Sequence, residues 1–564
     1  MNKKRTTFIL FLLCLAALAL NRFQQAQRQN PTGQSLKNSP AVSAAETLST
    51  LNLPLDAEVS TMDPQAAVDS ASFEIIAATL EGLYRMGSED FPEPAIVLQE
   101  DILENETLYR FTLKEAVWSD GTPVQADDFV YAWKRGINPE NGNENAFLFA
   151  TAGIRNAQAI LNREMDSDKL GVRALDAQTL EVELEKPCPY FHSLLTLPTF
   201  YPLNQEFYEQ WGDQYGTSPQ SLLSNGPFLV EEYQPSGLEI FLVKNPRYHQ
   251  ANEVSLEEIH YQVIKDSQQA VMAYQTGQLD MALLSGEQAE IYRDSPEYQS
   301  IPLSSLWYLS PNTQNHHLSN TALRNALTLA FDKELAARQV MKDGSRPAYG
   351  AVPWDFAYGP DGRDFREDAK ELQESSAENN AKQPPKEQAR QWMEQAKSEL
   401  GTDSFTFTLL IEDGDTAKNL GQFLQEEIQQ TLPEVTIHLE AVPKKARLER
   451  MGNGDYELGL ARWGADYTDP LAFLAMWTSH SSFNYGKWSN KEYDQLIAAA
   501  TGELLSFPEQ RWQTLLNSEA ILIGEAAIFP VCEKAYGILL RNNVKGAQFH
   551  GTGVNRVWSR CWRE

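Results

Sequence analysis

Alternating apolar and polar positions predict short strands at several points along the chain. Tyr109, Phe111 and Leu113 alternate with polar residues, and the stretch 180–184 repeats this period of two. Such alternation is typical of strands that bury one face. Over residues 73–84 the apolar positions instead recur at the spacing of a helix. Strands and helices therefore both occur in the first third of the chain.

A strand–helix–strand unit is the clearest local pattern. Residues 405–411 alternate as a strand, residues 420–428 place apolar side chains on one helical face, and residues 435–439 alternate again. Asp413 and Gly414 mark the turn after the first strand. A crossover of this length joins parallel strands. The sequence therefore predicts an α/β protein whose sheet is parallel in this region.

A candidate ligand site follows the next predicted strand, residues 455–460. Ligands of open α/β sheets bind in the crevice beyond the carboxyl ends of the strands, so we expect Trp463, Asp466 and Tyr467 to meet a ligand there. A carboxylate between two aromatic rings suits a cation. Gly464 allows another backbone to approach closely. A solvent-exposed aspartate at a strand-to-loop turn is the alternative interpretation.

The N-terminus has the pattern of an export signal. Lys3, Lys4 and Arg5 precede an uncharged apolar run over residues 8–20. This run is short for a helix that spans a membrane. We therefore expect residues 1–20 to be a signal peptide or a signal anchor, and the bulk of the chain to be translocated.

Two polar stretches interrupt the periodic pattern. Residues 21–47 are rich in Gln, Asn, Ser and Pro and predict a flexible linker. Residues 362–386 predict a surface excursion that precedes a helix containing Trp392 and Met393.

Length and charge narrow the classes of function. A chain of 564 residues is too long for one hydrophobic core, so two or three lobes are expected. The net charge of −30 argues against nucleic-acid binding, because no basic surface is available to replace phosphate counterions. The acidic surface either keeps the protein soluble or favours cationic ligands.

Motifs typical of catalysis are absent from the sequence. It contains no nucleophile elbow, zinc-protease motif, Walker-type loop or dinucleotide-binding glycine motif. The adjacent His316 and His317 lack metal-ligand spacing. We therefore expect a non-enzymatic protein without a metal or cofactor. An exported hydrolase that uses a pair of carboxylates stays open as an alternative.

The four cysteines do not form a recognisable motif. Cys14 lies in the apolar run and would be lost if that run is cleaved, which leaves Cys188, Cys532 and Cys561. None belongs to a CxxC pair, so metal or redox use is not indicated. One disulfide and one free thiol is one arrangement, and the sequence does not fix the pairing.

Several motifs occur in the order typical of one known family. The most specific is WSDGTPVQADDFVYAW at residues 118–133. The others are MDPQ at 62–65, EGLY at 81–84, PYF at 189–191, SNGPF at 224–228, KNPRY at 244–248 and WGADYTDP at 463–470. Together they resemble the oligopeptide-binding (OppA-like) extracellular solute-binding proteins, family 5, of ABC importers. The resemblance covers roughly residues 50–545.

The resemblance implies the fold. It is class II and periplasmic-binding-protein-like, with two α/β lobes joined by a hinge and an extra subdomain inserted in the first lobe. The first lobe would comprise residues 48–90, 205–307 and 533–564. The inserted subdomain would be residues 91–204, and the second lobe residues 308–532. A ligand would be enclosed when the lobes close.

The resemblance also implies roles for the candidate site. Asp466 matches the aspartate that binds the peptide α-ammonium in the oligopeptide branch of the family. Backbone groups of Arg462 and Gly464 would pair with an extended peptide as with an added strand. Trp463 and Tyr467 would frame the carboxylate.

Residues of the first lobe would complete the site, and the family has defined partners. Val68, Asp69 and Ser70 would line the opposite edge of the peptide. The ligands would be short peptides with a free N-terminus, delivered to the permease subunits of an ABC transporter. We expect a membrane-proximal monomer that binds no nucleic acid. A receptor for a peptide pheromone, with the same fold, is an alternative.

The N-terminus departs from the family pattern. Gram-positive members usually carry a lipid-attachment motif that ends in cysteine after the apolar run, and residues 18–21 read Leu-Ala-Leu-Asn. The sequence therefore predicts export to the outer face of the cytoplasmic membrane or the periplasm, and it does not indicate a lipid anchor.

Overall fold

Three β-sheets organise the computed structural model, which describes residues 49–88, 90–376 and 384–564. The signal segment and the linker expected before residue 48 lie outside these residues. The N-terminal sheet has the strand order Thr50–Leu55, Glu258–Val263, Glu239–Lys244, Phe228–Glu232. The outer sheet has the order Val97–Leu103, Leu108–Leu113, Thr179–Glu183, Val172–Asp176.

The large sheet is mixed and contains the longest strands. Its order is Met281–Leu284, Phe529–Leu540, Tyr298–Pro311, Leu458–Gly464, Phe405–Glu412, Val435–Val442, with Arg346–Pro347 paired beside Phe529–Leu540. Short two-stranded pairs are Tyr84–Met86 with Pro92–Pro94, Val544–Lys545 with Trp562–Arg563, and Gln548–Phe549 with Arg556–Val557.

The strands Tyr298–Pro311 and Phe529–Leu540, here called the crossing strands, run antiparallel through two hydrophobic cores. Ile301 and Ile538 pack in the core of the N-terminal sheet, whereas Trp307 packs in a core of the large sheet. Their register shifts between Pro302 and Leu306, which marks a bulge between the two cores. Each crossing strand thus contributes residues to the core of the N-terminal sheet and to a core of the large sheet.

Ten helices of nine residues or more cover the sheets in the described ranges. They are Ser70–Thr79, Ala126–Ile137, Ser267–Gln275, Thr321–Leu329, Phe365–Ser376, Pro385–Leu400, Asp415–Thr431, Lys444–Asn453, Lys491–Ala500 and Pro508–Gly524. Shorter α-helices are Phe147–Thr151, Ala157–Leu161, Phe191–Leu195, Gln205–Trp211, Gly286–Tyr292, Lys333–Leu335 and Leu471–Leu474. None of the helices described is long and apolar enough to cross a membrane.

The fold class predicted from the sequence is confirmed. The alternating stretches form the strands Leu108–Leu113 and Thr179–Glu183. The strand–helix–strand unit is Phe405–Glu412, Asp415–Thr431 and Val435–Val442, and its two strands pair in parallel over their full length.

The motif at residues 118–133 builds the start of a buried helix. Asp128 lies at the third position of helix Ala126–Ile137 and accepts a hydrogen bond from the backbone N–H of Gln125, 2.9 Å away. Its carboxylate also accepts the indole N–H of Trp118 at 3.0 Å. Both partners lie N-terminal to the helix, so one carboxylate fixes the direction in which the chain enters it.

The helix predicted over residues 73–84 is shorter than expected. It ends at Thr79, and Leu80 is already extended. A Cβ at Gly82 would lie 2.5 Å from the Tyr201 ring, so the close approach of this ring leaves room only for glycine there. The buried Asn225 side chain accepts the N–H of Glu81 and donates to its carbonyl oxygen. A tertiary contact therefore replaces the last helical turn.

Part of the polar stretch 362–386 is also more ordered than predicted. Residues Phe365–Ser376 form a helix. The Phe365 ring is fully buried, and Asp368 accepts the indole N–H of Trp512 at 2.8 Å. The prediction of a surface excursion was wrong for this segment because one apolar residue and one acidic residue anchor it. Residues 377–383 lie outside the described ranges.

The three cysteines that the structure describes are buried free thiols. No disulfide joins Cys188, Cys532 or Cys561. Burial raises the pKa of the Cys188 and Cys561 thiols to about 12, so both stay protonated at neutral pH. The disulfide that the sequence left open therefore does not form among these residues.

The Asn225 contact predicts a measurable loss of stability. Replacing Asn225 with alanine leaves the buried N–H and C=O of Glu81 without their partners. We expect the free energy of unfolding to fall by about 2–4 kcal/mol. Chemical denaturation would measure it, with the exposed Asn252→Ala as a control that changes stability by less than about 0.5 kcal/mol. A loss as small as in the control would show that water satisfies both groups.

Candidate ligand-binding site

The strand that leads to the candidate site is Leu458–Gly464, here called the site strand. It begins three residues later than predicted from residues 455–460 and extends to Gly464, so Trp463 lies within the strand and not beyond it. The cause is its neighbour Tyr298–Pro311, which pairs with the site strand along its full length. Only Asp466 and Tyr467 follow the strand as expected.

One edge of the site strand is open at its carboxyl end. On that side the parallel strand Phe405–Glu412 pairs only with Leu458 and Gly459. The residues of an antiparallel strand alternate in the direction of their N–H and C=O groups. Ala465 donates its N–H to the carbonyl of Ser304, so the alternate residues Arg462 and Gly464 direct their backbone groups to the open side.

The side chains along this edge leave room for another backbone. A Cβ at Gly464 would meet its nearest protein atoms at 3.7–3.8 Å, an ordinary contact, so the fold itself does not require glycine there. The guanidinium of Arg462 lies 5.7 Å from the Trp307 ring centre, on the neighbouring strand. In the part of the chain that is described, no hydrogen bond from a loop occupies the backbone groups of Arg462 or Gly464.

Asp466 is a carboxylate without a cation. Among the described residues it forms no ion pair or hydrogen bond, although the neighbouring Asp469 is fully engaged with Arg511 at 2.8 and 2.9 Å. The Asp466 side chain reaches solvent, but surrounding protein restricts its hydration, and this desolvation raises its pKa to about 6. A partly desolvated, unpaired carboxylate favours a cationic partner from outside the chain.

The two aromatic residues next to Asp466 have different contacts. Trp463 donates its indole N–H to the carbonyl of Ala472 at 2.8 Å and packs on Phe483. Tyr467 stacks on Tyr190 with 4.3 Å between ring centres and 23° between planes. Trp463 therefore supports the loop from its own side, whereas Tyr467 bridges to the segment that follows the outer sheet.

A second bridge reinforces the first. The buried Ser193 Oγ accepts the backbone N–H of Thr468 at 3.0 Å. Sequence reasoning did not assign Tyr190 or Ser193 to the site, because they lie more than 270 positions before Asp466. The tyrosine does belong to the motif Pro189-Tyr190-Phe191, which carries part of the family resemblance. The loop that bears Asp466 is thus held from two sides.

The three residues expected on the opposite side of the ligand lie at a helix start. Asp69 caps helix Ser70–Thr79 and accepts hydrogen bonds from the backbone N–H and the hydroxyl of Ser72. Val68 is exposed, as is Ser70. Within the described ranges, no hydrogen bond, ion pair or ring contact joins residues 68–70 to residues 462–467. The structure gives Asp69 a structural role at this helix start.

A comparison of the sequence with known proteins shows the family to which the chain belongs. A sequence model of the bacterial extracellular solute-binding proteins, family 5 Middle, matches residues 92–485, more than half of the chain. The chain belongs to this family.

Relatives of this family 5 protein match over nearly their whole length. The dipeptide-binding protein of Lactococcus lactis subsp. cremoris is 31% identical over 516 residues, which cover 88% of this chain and 91% of the relative. The substrate-binding domain of an oligopeptide ABC transporter from Bacillus anthracis is 34% identical, with a TM-score of 0.74, and covers 91% of this chain and 98% of its own.

A third similar protein is the pheromone receptor PrgZ, whose structure was described with its mode of peptide binding. It is 31% identical to this family 5 chain, with a TM-score of 0.73 over 92% of this chain and 99% of PrgZ. The family resemblance stated from the sequence motifs is therefore confirmed.

The environment of Asp466 predicts its titration in the family 5 protein without ligand. We expect the carboxylate to gain its proton near pH 6, because desolvation disfavours the charged form. Carbon-13 NMR of the carboxyl carbon would measure the midpoint, with the Asp466→Asn protein used to assign the signal. A midpoint near the ordinary value of 3.8 would contradict the desolvated site.

Proposed function

We propose that this protein captures short peptides outside the cytoplasmic membrane and delivers them to the permease of an ABC transporter. The observation that carries the proposal is the combination of an open strand edge with an unpaired carboxylate directly beyond it. An extended peptide presents its own row of N–H and C=O groups to such an edge, and its α-ammonium is the cation that the carboxylate lacks.

The geometry supports one direction for the peptide. Arg462 and Gly464 direct their backbone groups to the open side, and Asp466 follows them in the chain. A peptide whose amino end is at Asp466 therefore runs antiparallel to the site strand. Antiparallel pairing uses close, straight hydrogen bonds, so the main chain of the ligand is satisfied without reference to its side chains.

The ammonium contact makes a free N-terminus necessary. A charge-assisted hydrogen bond contributes about 1.5–3 kcal/mol, and acetylation of the peptide removes the charge and leaves the Asp466 carboxylate unpaired. Trp463 and Tyr467 frame this contact. They exclude part of the water around Asp466 and so strengthen its interaction with the ammonium.

The lobe arrangement supports enclosure of the peptide. We propose that residues 48–90, 205–307 and 533–564 form one lobe, residues 91–204 its inserted subdomain, and residues 308–532 the other lobe. The crossing strands would be the hinge, since they join two separate cores and their register shifts between Pro302 and Leu306. Val68, Asp69 and Ser70 would face the peptide from the first lobe.

The remaining parts of the proposal follow from the role of a receptor. The protein would act as a monomer at the outer face of the membrane or in the periplasm, without a cofactor and without catalysis. Its family consists of solute-binding proteins. No nucleic acid is expected as a partner, since the chain carries a net charge of −30.

A peptide-pheromone receptor is the second candidate function. The likeness to PrgZ, at 31% identity over almost the whole chain, supports it. Both functions use the same peptide site, and they differ in whether the ligands are many peptides or one.

Removing the Asp466 carboxylate should weaken the binding of free peptides. We expect Asp466→Ala to lower the affinity for a free tripeptide about 10- to 150-fold, the equivalent of one charge-assisted hydrogen bond. Isothermal titration calorimetry would measure it. N-acetylation of the peptide should lower its affinity for the wild-type protein by a similar factor, and it should change its affinity for the variant little.

The matched control for this test is Asp403→Ala, which removes an exposed carboxylate before strand Phe405–Glu412. Its affinity should equal that of wild type. Equal binding of acetylated and free peptides by wild type would contradict the role of Asp466.

The ligands that co-purify with the protein should distinguish the two candidate functions. We expect mass spectrometry of the protein, denatured after native purification, to release a mixture of short peptides, because main-chain pairing does not select side chains. One defined peptide would favour the pheromone receptor instead. Turnover of a substrate by the purified protein would overturn the non-enzymatic function.

A further inference from the structure

A cavity of about 770 Å³ lies beside the Asp466 loop. One wall comes from the outer sheet and the segment after it, including Glu100, Tyr190 and His192. Another part of the lining comes from the loop after the site strand and from helix Pro508–Gly524, including Thr468 and Trp512. A molecule in this cavity therefore contacts both sides of the cleft at once, and its binding favours the closed arrangement of the lobes.

The lining combines aromatic rings with an excess of acid. Besides Tyr84, Tyr190 and Trp512, the rings of Phe91 and Tyr358 approach within 5.9 Å across the cleft, and both rings are about half exposed. Among the described residues, four carboxylates and one arginine line the same cavity, and no lysine does. Aromatic faces and carboxylates together attract guanidinium and ammonium groups.

The positive groups of the lining are already occupied. Arg511 binds both oxygens of Asp469. The ring of His192 lies 2.7 Å from Glu100. In contrast, no residue that the structure describes forms an ion pair or hydrogen bond with the carboxylate of Glu106, on the exposed turn after strand Val97–Leu103. Asp90, also in the lining, is paired with His550, so Glu106 is the one lining carboxylate that the described residues leave without a partner.

The cavity lies close to the amino end of the proposed peptide. Thr468, which lines the cavity, is two residues beyond Asp466, at most about 7 Å away along the backbone. A peptide antiparallel to the site strand points its amino end toward Thr468. Its first side chain therefore lies within reach of the cavity.

We propose that this cavity receives a positively charged first side chain, arginine or lysine, of a peptide whose amino end is bound at Asp466. The inference rests on the proposed function and deepens it. The carboxylate of Glu106 would balance the charge, and Tyr190 would cover the aliphatic part of the side chain. The receptor would then accept many sequences but prefer those that begin with a basic residue.

Three tripeptides test this preference by calorimetry on the purified protein. Arg-Ala-Ala should bind about tenfold more tightly than citrulline-Ala-Ala, which has the same shape without the charge. Ala-Arg-Ala controls for the general attraction of a cationic peptide to an acidic protein. It should bind at least about fivefold more weakly than Arg-Ala-Ala, because its arginine is the second residue and the cavity would receive the side chain of the first.

Substitutions in the cavity provide the second test. Glu106→Gln removes the charge of an exposed side chain and keeps its size. It should reduce the ratio of the affinities for the arginine and citrulline peptides to about threefold or less. Glu287→Gln, an exposed change on helix Gly286–Tyr292, should leave the ratio unchanged.

The outcomes separate this inference from the proposed function. Equal affinities of wild type for the arginine and citrulline peptides would overturn the cavity assignment and leave peptide binding intact. A preference that Glu106→Gln fully retains would also overturn it. Failure of all three tripeptides to bind would contradict the proposed function itself.

Discussion

The site depends on how the strand Leu458–Gly464 is paired. Its antiparallel neighbour follows it to the end, while its parallel neighbour leaves it after Gly459. Backbone groups that a sheet would normally satisfy are thus left facing a cleft. Unpaired strand edges readily add another strand, and Arg462 and Gly464 at this edge are exposed.

The sequence alone predicted the local elements near this edge better than their ends. The strand–helix–strand unit could be predicted because the spacing of its apolar residues changes with each element. The end of the site strand could not be predicted, since Gly464 belongs to the strand only through its pairing with Ser305. The helix before Gly82 was predicted too long for the same kind of reason. A tertiary neighbour, the Asn225 side chain, bonds the backbone of Glu81 just after the helix ends.

The place of Asp466 directly after the site strand could be predicted from the sequence, but its surroundings could not. Its desolvation and its lack of a cation follow from the way the loop packs, to which Tyr190 and Ser193 contribute from a distant part of the chain. The burial of Asp469 against Arg511 is equally invisible in the sequence, where the two aspartates look alike. Two acidic residues three positions apart thus differ in their contacts. Asp469 is paired with an arginine, whereas Asp466 has no ion pair or hydrogen bond among the described residues.

The most direct test of this account is a crystal structure of the protein with a free tripeptide. We expect the peptide to lie antiparallel to the site strand, with backbone hydrogen bonds to Arg462 and Gly464. Its ammonium should lie within about 3 Å of an Asp466 carboxylate oxygen. A peptide bound elsewhere, or with its carboxyl end at Asp466, would contradict the account.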